Sequence, residues 1–435
     1  MRVKLDPVVK RKLYDAIDSR RDVTVDFLRK LVQTPSVTGS EGKCAQLCHD
    51  KIKQIGLEAD MWELNVDEMR KHPAYNDVIK LPPLDYPLSY ADRPNVVGVY
   101  RGRGEGRSVI LNGHMDTVSP DPLSKWTRDP WGGEVEGNKL YGRGACDQKC
   151  GIAAMVVAMQ AILEQGLKPR GGVMLECVIE EEVAVGNGTL GCILRGYKAD
   201  ASIITEPTDL IICNSARAGL YWRITIEGKS SHGVEKWEGV DAIQLGTKVL
   251  DSLRYLEASL STTESHPIFN QKPILVPVTP DKIRAGVWKG MVAPECVIEG
   301  YFEPLPGKPL REWENIFTKY VANAMKYDPW LREHPPKVQF KERYDGYVQD
   351  MNDPFLQVTK EAYREATGNQ PVVEGSNGGC EAWMHAVHGG SSTLELGPSG
   401  AHAHGADEWA NIDDIITVQK VYASTILEWC GYDSS

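Results

Sequence analysis

Apolar residues early in the chain recur at spacings of one, three and four, with Val23, Phe27, Leu28, Leu31 and Val32 on one helical stripe. A Pro-Ser-Val turn then interrupts, so the N-terminal segment predicts helix, loop, helix. From Asn95 the pattern changes to short apolar runs, NVVGVY, SVILNGHMD and VMLECVIEEE, separated by helical stretches such as GIAAMVVAMQAILEQG. That alternation predicts an α/β domain on a largely parallel core sheet. SIITEPTDL reads as a further strand. After it, LYWRITIEGKSSHG alternates apolar and polar residues as a half-buried strand does, so the sheet type changes there. A long helix in DAIQLGTKVLDSLRYLEA, a Pro-broken loop, a strand in MVAPECVIEGYFEPLPG, a helix in REWENIFTKYVANAMKY and a short KVQF strand follow. Together they predict a compact α+β insert. Beyond about residue 342 the helix-then-strand pattern returns, through STLELGPSG to a C-terminal helix from Ile412.

Length and composition narrow the function classes. At 435 residues the chain exceeds one ordinary domain, and 42% hydrophobic with 25% charged residues excludes a disordered or fibrous protein. A net charge of -11 argues against nucleic acid or an anionic membrane as partner, because both demand a basic surface. A small-molecule substrate is expected instead. The start, MRVKLDPVVKRKLYDAIDSRRD, lacks the apolar centre of a signal segment, and no run of 18 uncharged apolar residues occurs, so a cytoplasmic protein is expected. Ten scattered cysteines in a chain this long read as reduced thiols.

Acidic and imidazole residues gather at the ends of the apolar runs, where an open α/β sheet binds its ligand. His114 and Asp116 close SVILNGHMD on the same side of the strand, which suits Asp116 to orient the imidazole. Asp147 precedes a helix, Glu180, Glu181 and Glu182 follow LECVI without a break, Glu206 closes SIIT, and His404 follows the last strand. Each alone has an ordinary reading as a hydrogen-bonded pair, a helix N-cap or a solvated acidic loop. Adjacent carboxylates at a strand end nevertheless repel one another unless a cation is near. Several such groups at successive strand ends point to a binuclear metal site.

SVILNGHMDTV, WTRDPWGG, LYGRGACDQKCG, VIEEE, NGTLG, ITEPTDL, GKSSHG and AHAHGADEW occur in an order and spacing that resemble the M20 metallopeptidase family of aminoacylases, acetylornithine deacetylases and carboxypeptidases. The match runs over about residues 20 to 430. The resemblance implies a zinc-peptidase-like catalytic domain of residues 1–216 and 343–435 with a mixed, largely parallel sheet, and an inserted α+β lid, 217–342, that carries a homodimer interface. It implies His114, Asp147, Glu182, Glu206 and His404 as ligands of one or two divalent ions per subunit (zinc, cobalt or manganese), with Asp147 bridging. It further implies Glu181 as general base, His232 of SSHG as an oxyanion donor, and a cis peptide bond after Asp147.

The chain also departs from its relatives. IEGYFEPLPG places Tyr301 or Glu303 where most carry an arginine, the loop GSNGGCEAWMHAVHGG lacks the usual Thr-Asp and Arg, and Gln148 and Cys150 replace the commoner Met and Gly. Arg284 and Arg217 remain as candidate anion clamps, and Trp288 and Trp383 as stacking surfaces for a planar ligand. Three activities follow from the resemblance: an amidohydrolase most like an N-acyl amino acid deacylase, an aminohydrolase releasing ammonia from an amino-aromatic compound, and a dipeptidase or carboxypeptidase.

Overall fold

A computed structural model describes residues 4–77, 89–376 and 378–434; Asn377 of the GSNGGCEAW loop lies outside them. The chain divides into two compact units, Met1–Ser215 with Gln349–Ser435, and Ala216–Val348.

The first unit is built on a mixed sheet. Its centre is parallel: Val109–His114 pairs with Val173–Val178 on one side and Ala201–Ile204 on the other, and Ser392–Glu395 extends the parallel run beyond Ala201–Ile204. Pro94–Tyr100 and the outer strand Glu58–Glu63 add antiparallel pairs at one edge. Strand register fixes which helices cover which face. Gly98 stands opposite Leu175, and Leu175 opposite Leu111, so these residues share a face with Gly113. A Cβ on Gly98 would meet Ile52 of the helix Gly42–Gln54, and one on Gly113 would meet Ile152 of Cys150–Glu164. Those two helices therefore cover one face. Val97, one residue out of phase, packs with Val178 and with Cys192 of the helix Asn187–Leu194, which covers the other.

Cys150–Glu164 is apolar nearly all round and buried along most of its length, as a core helix is. Extended to Ala145–Glu164 it is long and apolar enough to cross a membrane, but 83% of that window is buried within the protein. All ten cysteines are buried free thiols.

The second unit is an antiparallel sheet in the order Val278–Ala285, Glu295–Phe302, Gly219–Glu227, Lys337–Tyr344. Along Gly219–Glu227 the inward positions Leu220, Trp222, Ile224 and Ile226 join Trp313 and Phe317 of the helix Leu310–Met325 in one core, which also takes in Val249 and Leu253 of Ala242–Thr263. Val278–Ala285 has a register shift between Pro280 and Lys282 and is exposed at most positions, both marks of an edge strand.

Candidate metal centre

The site forms where three neighbouring parallel strands end. His114 is the last residue of its strand, Glu181 and Glu182 begin a short helix after Val173–Val178, and Glu206 lies two residues beyond Ala201–Ile204. Asp147 approaches from the start of the core helix. That approach is close: a Cβ on Gly113 would lie 2.7 Å from Thr205 Oγ1 and 2.8 Å from Gln148 Oε1, and one on Gly151 only 2.3 Å from the Thr205 carbonyl oxygen. Glycine at both positions lets the helix start against the strand ends.

His114 Nε2 lies 3.0 Å from Asp147 Oδ1, 3.8 Å from Glu206 Oε1 and 3.9 Å from Glu181 Oε2. On the opposite side Asp147 Oδ2 is 3.2 Å from His404 Nε2, which is 2.9 Å from Glu182 Oε2. One aspartate thus faces two imidazoles. His114, Asp147 and Glu182 offer atoms within 4.8 Å of one another. The peptide bond between Asp147 and Gln148 is cis.

The surrounding layer holds these groups in place. His114 Nδ1 lies 2.9 Å from the Asp116 main-chain oxygen and 3.6 Å from its carboxylate, so the imidazole is oriented by a carbonyl rather than by the Asp116 side chain as expected. The Asp116 carboxylate instead accepts from Glu181 N at 3.1 Å, Glu182 N at 3.2 Å and Thr38 Oγ1 at 2.8 Å. It fixes the backbone of the two glutamates. Glu180 makes their turn by adopting φ 68°, a left-handed conformation uncommon outside glycine. Its buried carboxylate is held by Tyr90 Oη at 2.6 Å, Asn187 Nδ2 at 2.8 Å and an ion pair with Arg93 at 3.1 Å. Gln148 donates to Glu206 and accepts from Thr205 Oγ1 at 2.9 Å, so it positions a candidate ligand.

Burial and mutual repulsion set the electrostatics. Burial pushes the carboxyl groups of Glu181, Glu182 and Glu206 above their ordinary range, and Asp147 raises Glu206 further. Burial pulls the His114 imidazole down, but its hydrogen bond to Asp147 and the charges of Glu206 and Glu181 outweigh this and hold it well above its usual value. Hydrogen bonds to Asp147 and Glu182 push His404 up to about 10. Burial likewise raises Asp147, yet the two histidines hold it below the usual carboxylate range. Buried carboxylates at this density call for positive charge. The imidazole and carboxylate donors fit divalent ions such as zinc, cobalt or manganese, and their arrangement about Asp147 fits two.

Sequence reasoning missed Glu408. Its carboxylate accepts from the main-chain nitrogens of Gly144, Cys146 and Asp147 at 3.0, 2.9 and 3.0 Å and is paired with Arg143. Its place in AHAHGADEW, four residues after His404, is the signal that could have found it. Trp383, expected to stack on a ligand, is buried, and its Nε1 donates to the Val185 carbonyl at 2.7 Å, pinning the end of the Glu181–Ala184 helix. Arg217, expected as an anion clamp, is buried in the second unit with its donors on the Ile274 and Leu275 carbonyls and its guanidinium 4.9 Å from the Phe269 ring centre. It is a strut. Arg284 and Trp288 are exposed, and Tyr301 packs edge-on against Tyr221 at 4.9 Å. His232 is exposed too, and its Nδ1 accepts from Val234 N at 3.3 Å.

This chain is 25% identical to the N-formyl-4-amino-5-aminomethyl-2-methylpyrimidine deformylase of Halalkalibacterium halodurans, across 95% of this chain and 96% of that one. It is 24% identical to the succinyl-diaminopimelate desuccinylase of Alkalilimnicola ehrlichii, across 94% and 99%. Among solved structures, a tripeptidase from Staphylococcus aureus superposes with a TM-score of 0.71 at 22% identity, over 93% of this chain and 97% of that one, a likeness of fold. The model of peptidase family M20/M25/M40 matches residues 110–428, a span that takes in every group gathered around Asp147. By that match and that geometry, the chain belongs to peptidase family M20/M25/M40 and is a metal-dependent hydrolase of C–N amide bonds.

Proposed function

We propose that the protein deacylates a small N-acyl amine, using two ions held by His114, Asp147, Glu182, Glu206 and His404 and a proton carried by Glu181. The observation that supports this most is the position of Glu181: buried, its backbone fixed by Asp116, and its carboxylate 3.9 Å from His114 Nε2 at the edge of the donor set. Divalent ions bound there supply Lewis-acid activation of water and of the amide carbonyl. Glu181 takes a proton from the attacking water as its oxygen bonds to the carbonyl carbon. The same carboxyl group then returns that proton to the amide nitrogen as the C–N bond breaks, giving a carboxylic acid and an amine. The relatives' names agree in kind, one removing a formyl group and the other a succinyl group.

His232 is proposed as the donor to the developing oxyanion, and the Ala216–Val348 unit as the dimer surface. The exposed Tyr255, Ile283, Val287 and Trp288 on that unit, together with its edge strand Val278–Ala285, support the latter. The test of the reaction is an assay of metal-reconstituted protein on N-formyl and N-acetyl amines, N-acyl amino acids, dipeptides and amino-aromatics. Amine and acid released in equal amounts from N-acyl amines is the expected result. Ammonia from the aromatics alone, or cleavage of the dipeptides alone, overturns it.

A further inference from the structure

Beside Glu206, outside the donors described so far, lie Cys380 and Glu381. Each of the three offers an atom within 4.8 Å of the other two. Glu381 is fully buried, and among the described residues neither of its carboxylate oxygens touches solvent or meets a donor from another residue, its own main-chain N–H being the one hydrogen-bonding group beside it. A carboxylate in that condition is costly: burying a charge without a partner takes several kcal/mol, and even a neutral carboxyl group loses the hydrogen bonds it made to water. Other buried acids nearby have partners. Glu180 is held by Tyr90 and Asn187, and Glu408 by three backbone nitrogens.

The missing partner for Glu381 matches the chemistry of its surroundings. Through Glu206, within 4.8 Å of it, Glu381 borders the metal centre. A water molecule does not reach its oxygens, but a bare divalent ion is smaller and bonds carboxylate oxygen at about 2.0–2.2 Å and thiolate sulfur at about 2.3 Å. Two ligands of a tetrahedral zinc ion therefore stand about 3.3–3.8 Å apart, so shifts on the order of 1 Å bring the Glu206 and Glu381 oxygens onto one ion with the Cys380 sulfur beside it.

We propose that Glu381 is an additional carboxylate ligand of the ion held by His114, Asp147 and Glu206, with the Cys380 thiol at the margin of the same cluster. The proposal rests on the two-ion reading of the site. It gives that position three carboxylates where the resemblance assigns two.

The test reads metal, not turnover. Zinc and cobalt are titrated calorimetrically into the metal-free wild type, Glu381→Gln and Glu381→Ala, and metal content is measured after dialysis against a chelator of fixed strength. Gln reproduces the shape of a protonated Glu381, so a merely space-filling carboxyl group would leave binding unchanged. The expected result is two ions per chain in the wild type, with one site weakened roughly 10- to 100-fold in both variants, a loss at least as large as that of an outer-shell partner. The metal-free Glu381→Gln protein should melt no lower than metal-free wild type, because the substitution removes a buried, unpaired acid. Two sites of unchanged affinity in the variants overturn the proposal and leave the two-ion reading standing, whereas a wild type that binds no ion overturns both. A measurement needing no variant decides it independently. In a crystal of zinc-loaded wild type, zinc-edge anomalous density within about 2.2 Å of a Glu381 oxygen is expected, and a separation beyond about 3 Å overturns it.

Discussion

Asp147 stands between two imidazoles, with Oδ1 3.0 Å from His114 Nε2 and Oδ2 3.2 Å from His404 Nε2. A carboxylate placed this way would serve two ions at once under the proposed function, and each remaining donor would serve one. Asp147→Ala is therefore expected to empty both positions. His114→Ala and Glu206→Ala should each weaken one, and Glu182→Ala and His404→Ala the other. Metal content per chain, measured after dialysis, checks this. An Asp147→Ala protein that keeps one tightly bound ion would take away the bridging role.

Glu181→Gln should separate binding from chemistry. The side chain keeps its size and its backbone bonds to Asp116, so metal content is expected to match the wild type. Turnover should fall by roughly two to four orders of magnitude, the usual contribution of a positioned general base. Loss of an ion in this variant would instead make Glu181 a ligand.

Glu408 acts on the centre through Asp147. Glu408→Gln puts an amide that carries its own N–H groups against the nitrogens of Gly144, Cys146 and Asp147, and it strips the buried Arg143 of its charge partner. The expected outcome is a loss of about 3 kcal/mol in stability, the scale of a broken buried ion pair. A metal affinity roughly 10- to 100-fold weaker should accompany it, measured at a temperature where both proteins are folded. Lower stability with undiminished metal affinity would confine Glu408 to a structural role.

What was legible in the sequence, and what was not, divides along physical lines. His114, Glu182 and Glu206 stood out because the central strands are parallel and buried on both faces, so a charged residue after an apolar run marks the strand end. The second unit was legible through the alternation of Leu220, Trp222, Ile224 and Ile226. Its edge strand was not, because VTPDKIRA buries little and has no apolar phase to read. Nor does residue type disclose environment. Trp383 and Arg217 look like ligand-binding groups and are buried struts, while Glu408 looks like a surface acid and holds the backbone of Asp147. Asp116 was found for its spacing to His114, yet its carboxylate serves the Glu181 backbone, a partner distant in sequence that no local pattern announces.

His232 carries the remaining prediction. If its imidazole donates to the oxyanion, His232→Ala should lower kcat by roughly two to three orders of magnitude while leaving metal content and melting temperature unchanged, because that contact is made in the transition state. A fall in kcat with KM nearly constant separates this from a substrate-binding role. The exposure of His232 and its position on the unit proposed to dimerise allow a stricter test. A His232→Ala dimer should be nearly inactive for want of the donor, and a Glu181→Gln dimer for want of the base. Mixed under conditions that exchange subunits, they should regain activity if the histidine of one chain serves the metal centre of the other, since each hybrid then holds one intact site. Subunit exchange verified by mass, with no activity regained, would place His232 in its own chain's site, and full activity of His232→Ala alone would remove it from the chemistry.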